Sequence, residues 1–100
     1  MTRRLRIYYL HNIGGRTEGV IAAYNKRDAA RSAGVPVSEV EEHSTHRAAD
    51  MALQCPGQLF VTPLYINGRA PHDHEKRWQA AYKRLPGYDA TPPAGAPASP

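Results

Sequence analysis

Apolar and polar positions alternate with a period of two at the start of the chain. Leu5, Ile7 and Tyr9 alternate with arginine and tyrosine positions between them, which is typical of a β-strand with one buried face. A second apolar run follows at 20–24, and Gly14-Gly15-Arg16 separates the two runs. Adjacent glycines permit the positive φ angles of a tight connection. The pattern therefore predicts a β-hairpin over residues 5–24.

The residues after this hairpin carry the signals that begin and end a helix. Asn25 can accept a hydrogen bond from a free amide of a first turn, and Asp28 places a carboxylate where the helix dipole favours it. Gly34 can end the helix in the left-handed conformation. We therefore predict helix A over residues 26–33.

A second helix is predicted directly after helix A. Ser38 and Glu41 have the spacing of a capping box. Ala30, Gly34 and Val40 have the spacing of a helix-turn-helix, which needs a small residue, a turning glycine and an apolar residue that seats the second helix. The spacing predicts helix B and a steep crossing of the two helices.

A third helix is predicted over about 46–55, before Pro56-Gly57. Its apolar positions, which include Met51 and Cys55, recur at helical spacing on one face. That stripe is expected to face the core. Cys55 is therefore interpreted as a buried structural thiol.

The last two predicted elements are a strand and a helix. Residues 58–66 are rich in strand-forming residues but are interrupted by Pro63, which indicates an edge strand with a bend. Helix four is predicted to begin near Asp73, because Trp78 and Leu85 belong to an apolar set at helical spacing among basic residues.

Together these elements predict a small α+β fold. We expect an N-terminal β-hairpin with a third edge strand, packed against a helix-turn-helix-like helix pair and two further helices. The length of 100 residues suits one core, so residues 1–85 are assigned to a single domain. Residues 86–100, rich in proline and alanine, bury too little apolar surface to offset their ordering entropy, and we expect them to be disordered unless bound.

Composition narrows the compartment and the class of partner. Thirteen Lys and Arg residues against nine Asp and Glu residues give a net charge of +4, which favours nucleic acid or an acidic protein surface. The single cysteine excludes an internal disulfide and fits a reducing compartment. No apolar run approaches the roughly 20 residues of a membrane span, and no signal-peptide pattern is present. We expect a cytoplasmic protein that does not associate with membranes.

The charge of helix B argues against DNA reading. Glutamates occupy the positions that would enter the major groove, where the phosphates repel carboxylates. The first hypothesis is therefore a non-enzymatic protein that binds another protein, with 1:1 or 2:2 stoichiometry, the latter as a homodimer. The candidate protein-binding residues are Glu39, Glu41, Glu42, Lys76, Arg77, Lys83 and Arg84.

A nucleic-acid-binding regulator is the alternative. Cations on the hairpin and on helix A could contact phosphates, and tyrosine rings could stack on unpaired bases. A hairpin that is merely exposed on one face shows the same alternation of arginine and tyrosine. The pattern therefore does not distinguish nucleic-acid binding from a purely structural hairpin. The candidate residues are Arg3, Arg4, Arg6, Tyr8, Arg16, Lys26, Arg27 and Arg31.

The histidines raise a third hypothesis, a metal-dependent activity. His43 with His46 and His72 with His74 are two close pairs, but the first straddles a predicted helix junction and the second lies in a turn, unlike the converging pairs of zinc sites. No nucleophile with a neighbouring base and no glycine-rich phosphate loop is evident. We expect no catalytic residues, no metal and no cofactor.

The central part of the chain carries a set of short motifs: YNKRDAA at 24–30, GV at 34–35, EHST at 42–45, PGQLF at 56–60 and Trp78. In these motifs it resembles small hypothetical proteins of phages and prophages. That family typically has a hairpin, an alanine-rich helix, a polar Ser-Thr segment, a helix, Pro-Gly and a final strand. The sequence departs from the pattern through two histidines in the Ser-Thr segment, and through a basic fourth helix and a proline-rich tail past the usual end. The resemblance implies a bacterial host cytoplasm and a protein that binds, and inhibits, a host or phage macromolecular complex.

Overall fold

One antiparallel sheet organises residues 4–88, which the computed structural model describes, with the backbone alone at 82 and 83. Two helices pack on this sheet, and within the described residues the α+β class is confirmed. The sheet order is β3-β1-β2-β4-β5. In chain order the elements are β1 (Arg6–Ile13), β2 (Thr17–Ala23), α1 (Lys26–Ala33), β3 (Val40–Glu42), α2 (Ala49–Gln54), β4 (Gln58–Pro63) and β5 (Gln79–Arg84).

The sheet separates two hydrophobic clusters, because successive side chains of a strand point to opposite faces. Tyr8 and Ile21 belong to a cluster with α1, which we call the α1-side cluster. Ile7 and Val20 belong to a cluster with α2, the α2-side cluster. The fold thus has three layers, with one helix on each face of the sheet.

Helix α1 has the bounds that its capping residues predict. The side chain of Asn25 accepts a hydrogen bond from the backbone amide of Asp28 at 2.8 Å. Gly34 has a φ of 67°, the left-handed conformation that ends a helix. The prediction of a helix over 26–33 is confirmed.

The predicted helix B is wrong. Residues Val37–Glu39 form a single 3-10 turn, and β3 begins at Val40 and pairs antiparallel with β1. Val40 lies opposite Leu10 and is only 5% exposed. Strand pairing and the burial of Val40 in the α1-side cluster outweigh the local capping signal of Ser38.

The predicted helix four is also wrong. Residues Asp73–Glu75 form a 3-10 turn, and residues 79–84 form strand β5. Over so short a segment a helical period resembles a strand period. Trp78 packs on the α2-side cluster, whereas Ala81 and Leu85 pack on the α1-side cluster, as expected for even and odd positions of an extended chain.

Strand β4 is not the edge strand that Pro63 suggested. It pairs with β2 on one side and with β5 on the other, so the edges of the sheet are β3 and β5. Pro63 is the last residue of β4, where its missing amide donor costs the sheet little.

The third predicted helix is shorter than expected, and its cysteine is not buried. Helix α2 begins at Ala49, after a turn in which His46 accepts a hydrogen bond from the amide of Ala48 at 3.0 Å. Cys55 follows the helix and is exposed. The interpretation of Cys55 as a buried thiol is therefore wrong.

Tyr88 lies beyond the predicted domain boundary at residue 85, yet it belongs to the α1-side cluster and is 8% exposed. Its ring stacks on Tyr24 with centroids 4.6 Å apart.

The rest of the predicted tail, 89–100, lies outside the described residues. Among the helices of residues 4–88, none has the length and apolar character to cross a membrane.

Candidate functional site

A pocket of about 560 Å³ opens on the face of the sheet that carries α2. Its side chains come from three places in the sequence. Tyr9 and Glu18 extend from β1 and β2, a second group follows β3, and a third precedes β5. We call this the α2-side pocket; its lining is Tyr9, Glu18, His43, Thr45, His46, Arg47, Asp73, Lys76 and Trp78.

Glu18 is the most deeply buried charged group of the pocket, with 5% of its surface exposed. Its Oε1 accepts a hydrogen bond from the hydroxyl of Tyr9 at 3.2 Å and another from Nζ of Lys76 at 3.1 Å. Its Oε2 accepts no hydrogen bond from any residue in the described part of the chain. Glu18 therefore offers one free acceptor to the pocket.

Opposite charges follow one another from Glu18 to the rim of the pocket. Nζ of Lys76 also lies 3.6 Å from Oδ1 of Asp73, and Oδ2 of Asp73 lies 3.3 Å from Nε of Arg47. The side chain of Lys76 is 18% exposed, whereas that of Arg47 is 76% exposed. The two positive and two negative charges cancel, so the pocket has no net formal charge.

Aromatic rings form the other part of the lining. The ring of His46 stacks on Tyr9 with centroids 5.3 Å apart. It meets Trp78 edge to face at 5.3 Å and His43 edge to face at 5.2 Å. The pocket thus combines ring surfaces with a fixed set of hydrogen-bonding groups.

The side chains of His46 and Tyr9 are neutral at physiological pH. Burial lowers the pKa of His46 below its ordinary value, and the neighbouring His43 lowers it further. Nδ1 of His46 accepts the amide of Ala48, so Nε2 carries the proton of the neutral ring. Burial, followed by the charge of Glu18, raises the pKa of Tyr9 to about 12.

The candidate nucleic-acid residues are only partly brought together. Tyr8 is 3% exposed, inside the α1-side cluster, so its ring has no open face for a base. Arg6 pairs with Glu42 at 3.3 Å, and Arg16 lies in the turn between β1 and β2. Arg3 lies outside the described residues.

Four of these candidates lie on α1 or beside it. Arg4 and Arg31 line one hollow, Lys26 and Arg27 line another, and Asn25 borders both. We call these four cations the α1-end surface. Arg31 pairs with Asp28 at 3.2 Å, whereas the other three have no acidic partner within the described residues.

The candidate acidic residues lie on β3 and the turn before it. Glu41 lies 2.7 Å from Nε2 of His11, and Glu42 pairs with Arg6. Glu39 is in the 3-10 turn. Two of the three carboxylates therefore already have side-chain partners on β1.

The candidate basic residues near β5 have different surroundings. Lys76 belongs to the α2-side pocket, and Arg77 donates to the backbone carbonyls of His74 and Lys76 at 3.1 and 3.3 Å. Nε of Arg84 donates to the carbonyl of Pro56 at 3.0 Å. The side chain of Lys83 lies outside the described part of the structure.

The histidine pairs do not assemble a metal site within residues 4–88, where no three metal-ligating side chains come together. The rings of His72 and His74 stack with centroids 5.7 Å apart. His43 and His46 instead contribute to the aromatic lining of the α2-side pocket.

Sequence analysis did not single out Glu18 or Trp78 as site residues, and it considered Tyr9 only as one of the hairpin tyrosines that could stack on unpaired bases. One signal was present: Glu18 has the same strand parity as Val20 and Ala22, so it is a carboxylate on a face that is otherwise apolar. Lys76 was selected, but for a helix surface.

No family model, no curated protein and no solved structure matches this chain.

Proposed function

We propose that this protein is a non-enzymatic binding protein that captures one planar, polar group of its partner in the α2-side pocket. The observation that carries the proposal is the free Oε2 of Glu18 in a nearly buried carboxylate. Among the fully buried side-chain oxygen and nitrogen atoms of the described residues, only Oγ1 of Thr62 lacks a partner, so Oε2 of Glu18 is open to the pocket. A ligand donor that enters the pocket would bond to this oxygen and pack against the rings of His46 and Trp78.

The state of the titratable groups supports binding over catalysis. Tyr9, with its pKa raised to about 12, remains a phenol that donates to Glu18. His46 uses Nδ1 as an acceptor for a backbone amide, which leaves only an N–H donor toward the pocket. Glu18 is held by two donors. These groups are suited to fixed hydrogen bonds rather than to proton transfer.

The residue types of the pocket also suit an anchoring site. Tryptophan, tyrosine and arginine dominate the energetics of macromolecular interfaces, especially around partly enclosed pockets. Trp78 and Tyr9 form the walls here, and Arg47 is exposed at the rim. A single inserted group would therefore account for much of the affinity.

A capture experiment with matched variants tests this proposal. Immobilised protein is incubated with bacterial lysate, and bound proteins and nucleic acids are identified for the wild type, Trp78→Ala, Arg47→Ala and Tyr65→Ala. Tyr65 is 63% exposed and does not line the pocket, so its variant controls for the loss of an aromatic residue.

We expect one partner to be retained by the wild type and by Tyr65→Ala, and to be reduced by both pocket variants. Circular dichroism of each variant monitors folding. Equal capture by all four proteins would contradict the proposal, and Arg47→Ala keeps the test informative if Trp78→Ala unfolds.

The α1-end surface favours a second candidate function, contact with the phosphate backbone of nucleic acid. Arg4, Lys26 and Arg27 lack acidic partners in the described part of the chain, and free cations of this kind release counterions from phosphates. A gel shift across salt concentrations tests it. Replacing these three residues by alanine should flatten the salt dependence, whereas Arg77→Ala should not, and absence of binding at low salt would contradict this function.

A further inference from the structure

The α2-side pocket presents an acceptor and a donor side by side. Oε2 of Glu18 is free, and Nζ of Lys76 donates to Oε1 of the same carboxylate at 3.1 Å. An ammonium group has three hydrogens, and its other acidic neighbour, Asp73, lies at 3.6 Å. A ligand edge with one donor next to one acceptor would therefore satisfy both groups.

The walls favour a flat, conjugated ligand. His46 and Trp78 meet edge to face with centroids 5.3 Å apart, and Tyr9 stacks behind His46. Ring surfaces of this kind bind other rings through stacked or edge-to-face contacts. The volume of about 560 Å³ lies within the range of small-molecule sites.

The charge balance favours a ligand edge that is itself neutral. Glu18 is offset by Lys76, and Asp73 by Arg47. A cation at Glu18 would be repelled by Lys76, and an anion at Lys76 would be repelled by Glu18. The pocket therefore discriminates by the arrangement of donors and acceptors, not by net charge.

We propose that the α2-side pocket binds a nucleobase, with purines ahead of pyrimidines. Nucleobases are neutral, flat and conjugated, and they carry a donor beside an acceptor on the Watson–Crick edge. Guanine would donate its N1–H to Oε2 of Glu18 and accept from Lys76 at O6, and adenine would use its amino group and N1 in the same way. Purines expose the larger face for stacking.

This inference rests on the proposed function, because it names the group that the pocket captures. The same base could be offered by a free nucleotide or by an unpaired strand, and Arg47 at the rim could contact a phosphate in either. An oligonucleotide that binds more tightly than mononucleotides, and loses affinity with salt, identifies the strand as the source. Equal affinities identify the free nucleotide.

Trp78 supplies the reporter for the test. It is the only tryptophan of the chain, so the protein gives one indole N–H signal in a two-dimensional NMR spectrum. The full chain is titrated with guanosine and adenosine monophosphates and with a mixed-sequence single-stranded oligonucleotide. We expect a saturable shift of the Trp78 signal with at least one of these probes.

Matched ligands test the donor without changing the protein. The analogues 1-methylguanosine monophosphate and N6,N6-dimethyladenosine monophosphate lack the hydrogen that Glu18 would accept. We expect each to bind at least about tenfold more weakly than its parent, the loss of one hydrogen bond to a charged group. Equal affinity of parent and analogue would overturn the inference, even if every variant of the protein failed to fold.

Matched variants test the protein side. In Glu18→Gln, the amide oxygen is expected to stay with Tyr9 and Lys76, which places an NH₂ donor against the donor of the base. We expect about tenfold weaker binding for this variant and for Lys76→Met. Binding should be unchanged for Arg77→Met, whose side chain does not line the pocket. If no nucleotide or oligonucleotide shifts Trp78 at millimolar concentration while the lysate partner still needs the pocket, the nucleobase inference fails and the proposed function stands.

Discussion

The hydroxyl of Tyr88 donates a hydrogen bond to Oδ2 of Asp28 at 2.6 Å. The hydroxyl oxygen of Tyr88 also accepts a hydrogen bond from the backbone amide of Tyr24 at 2.8 Å. Asp28 lies in the first turn of α1, and Tyr24 directly follows the last residue of β2. One phenol near the end of the described chain thus holds the start of α1 against the sheet.

Removal of this phenol should destabilise the protein. Tyr88→Phe keeps the packed ring but leaves the amide of Tyr24 and one carboxylate oxygen without the hydroxyl. We expect a loss of about 1–3 kcal/mol in the free energy of unfolding, measured by urea denaturation. Tyr65→Phe, at an exposed ring, is the control, and equal stability of the two variants would contradict the assigned bonds.

Two capping signals in the sequence should behave differently on substitution. Asn25→Ala removes the observed cap of α1, which should cost about 1 kcal/mol of stability. Ser38→Ala alters a capping signal in a segment where no α-helix forms, and a surface change of this kind should cost less than about 0.5 kcal/mol. Thermal melts of both variants check the prediction, and a larger loss for Ser38→Ala would refute it.

The protein should lose stability as the pH falls below the ordinary pKa of histidine. Burial lowers the pKa of His46 from 6.5, so the unfolded chain binds this proton more readily than the folded protein. The stability from His46 is fully present above pH 6.5 and is lost as the pH falls toward the lower pKa of the folded state.

NMR titration of the His46 ring measures this pKa directly, and we expect a midpoint below 6.5. His46→Asn, which keeps an acceptor for the amide of Ala48, should show a flatter dependence of stability on acidic pH. A midpoint at or above 6.5 in the folded protein would contradict the burial argument.

The hydroxyl groups of Thr62 and Thr17 differ in their hydrogen bonding. Oγ1 of Thr62 is buried and has no hydrogen-bond partner in the part of the chain that the structure describes, whereas Oγ1 of Thr17 donates to the carbonyl of Ile13 at 3.0 Å. Thr62→Val should therefore be neutral or stabilise by up to about 1 kcal/mol, and Thr17→Val should destabilise by about 1 kcal/mol. Denaturant midpoints compare the two, and the reverse order would disprove the assignment.

The elements with local determinants were predictable from the sequence. Helix α1 has its cap at Asn25 and its end at Gly34 within one short segment. The period-two pattern before Gly14 likewise predicts strand β1, which pairs with β2 across that turn. Both depend on neighbours in sequence, which is the information that propensity and capping describe.

The errors arose where distant residues decide the structure. Val40 lies in a strand because β1 offers a partner at Leu10, and residues 79–84 lie in a strand because β4 offers its second edge. Neither partner is identified by the local pattern. The α2-side pocket escaped prediction for the same reason, since Tyr9, Glu18 and Trp78 meet only after the sheet has formed.

The strand order β3-β1-β2-β4-β5 also has a kinetic consequence. The β1–β2 hairpin is the most local strand pair and lies in the interior of the sheet, so it can form before the later strands dock on its two sides. Substitutions that weaken the hairpin, such as Val20→Ala, should chiefly slow folding, whereas those in the last strand, such as Ala81→Gly, should chiefly accelerate unfolding. The sheet would then grow outward from its centre as the chain leaves the ribosome.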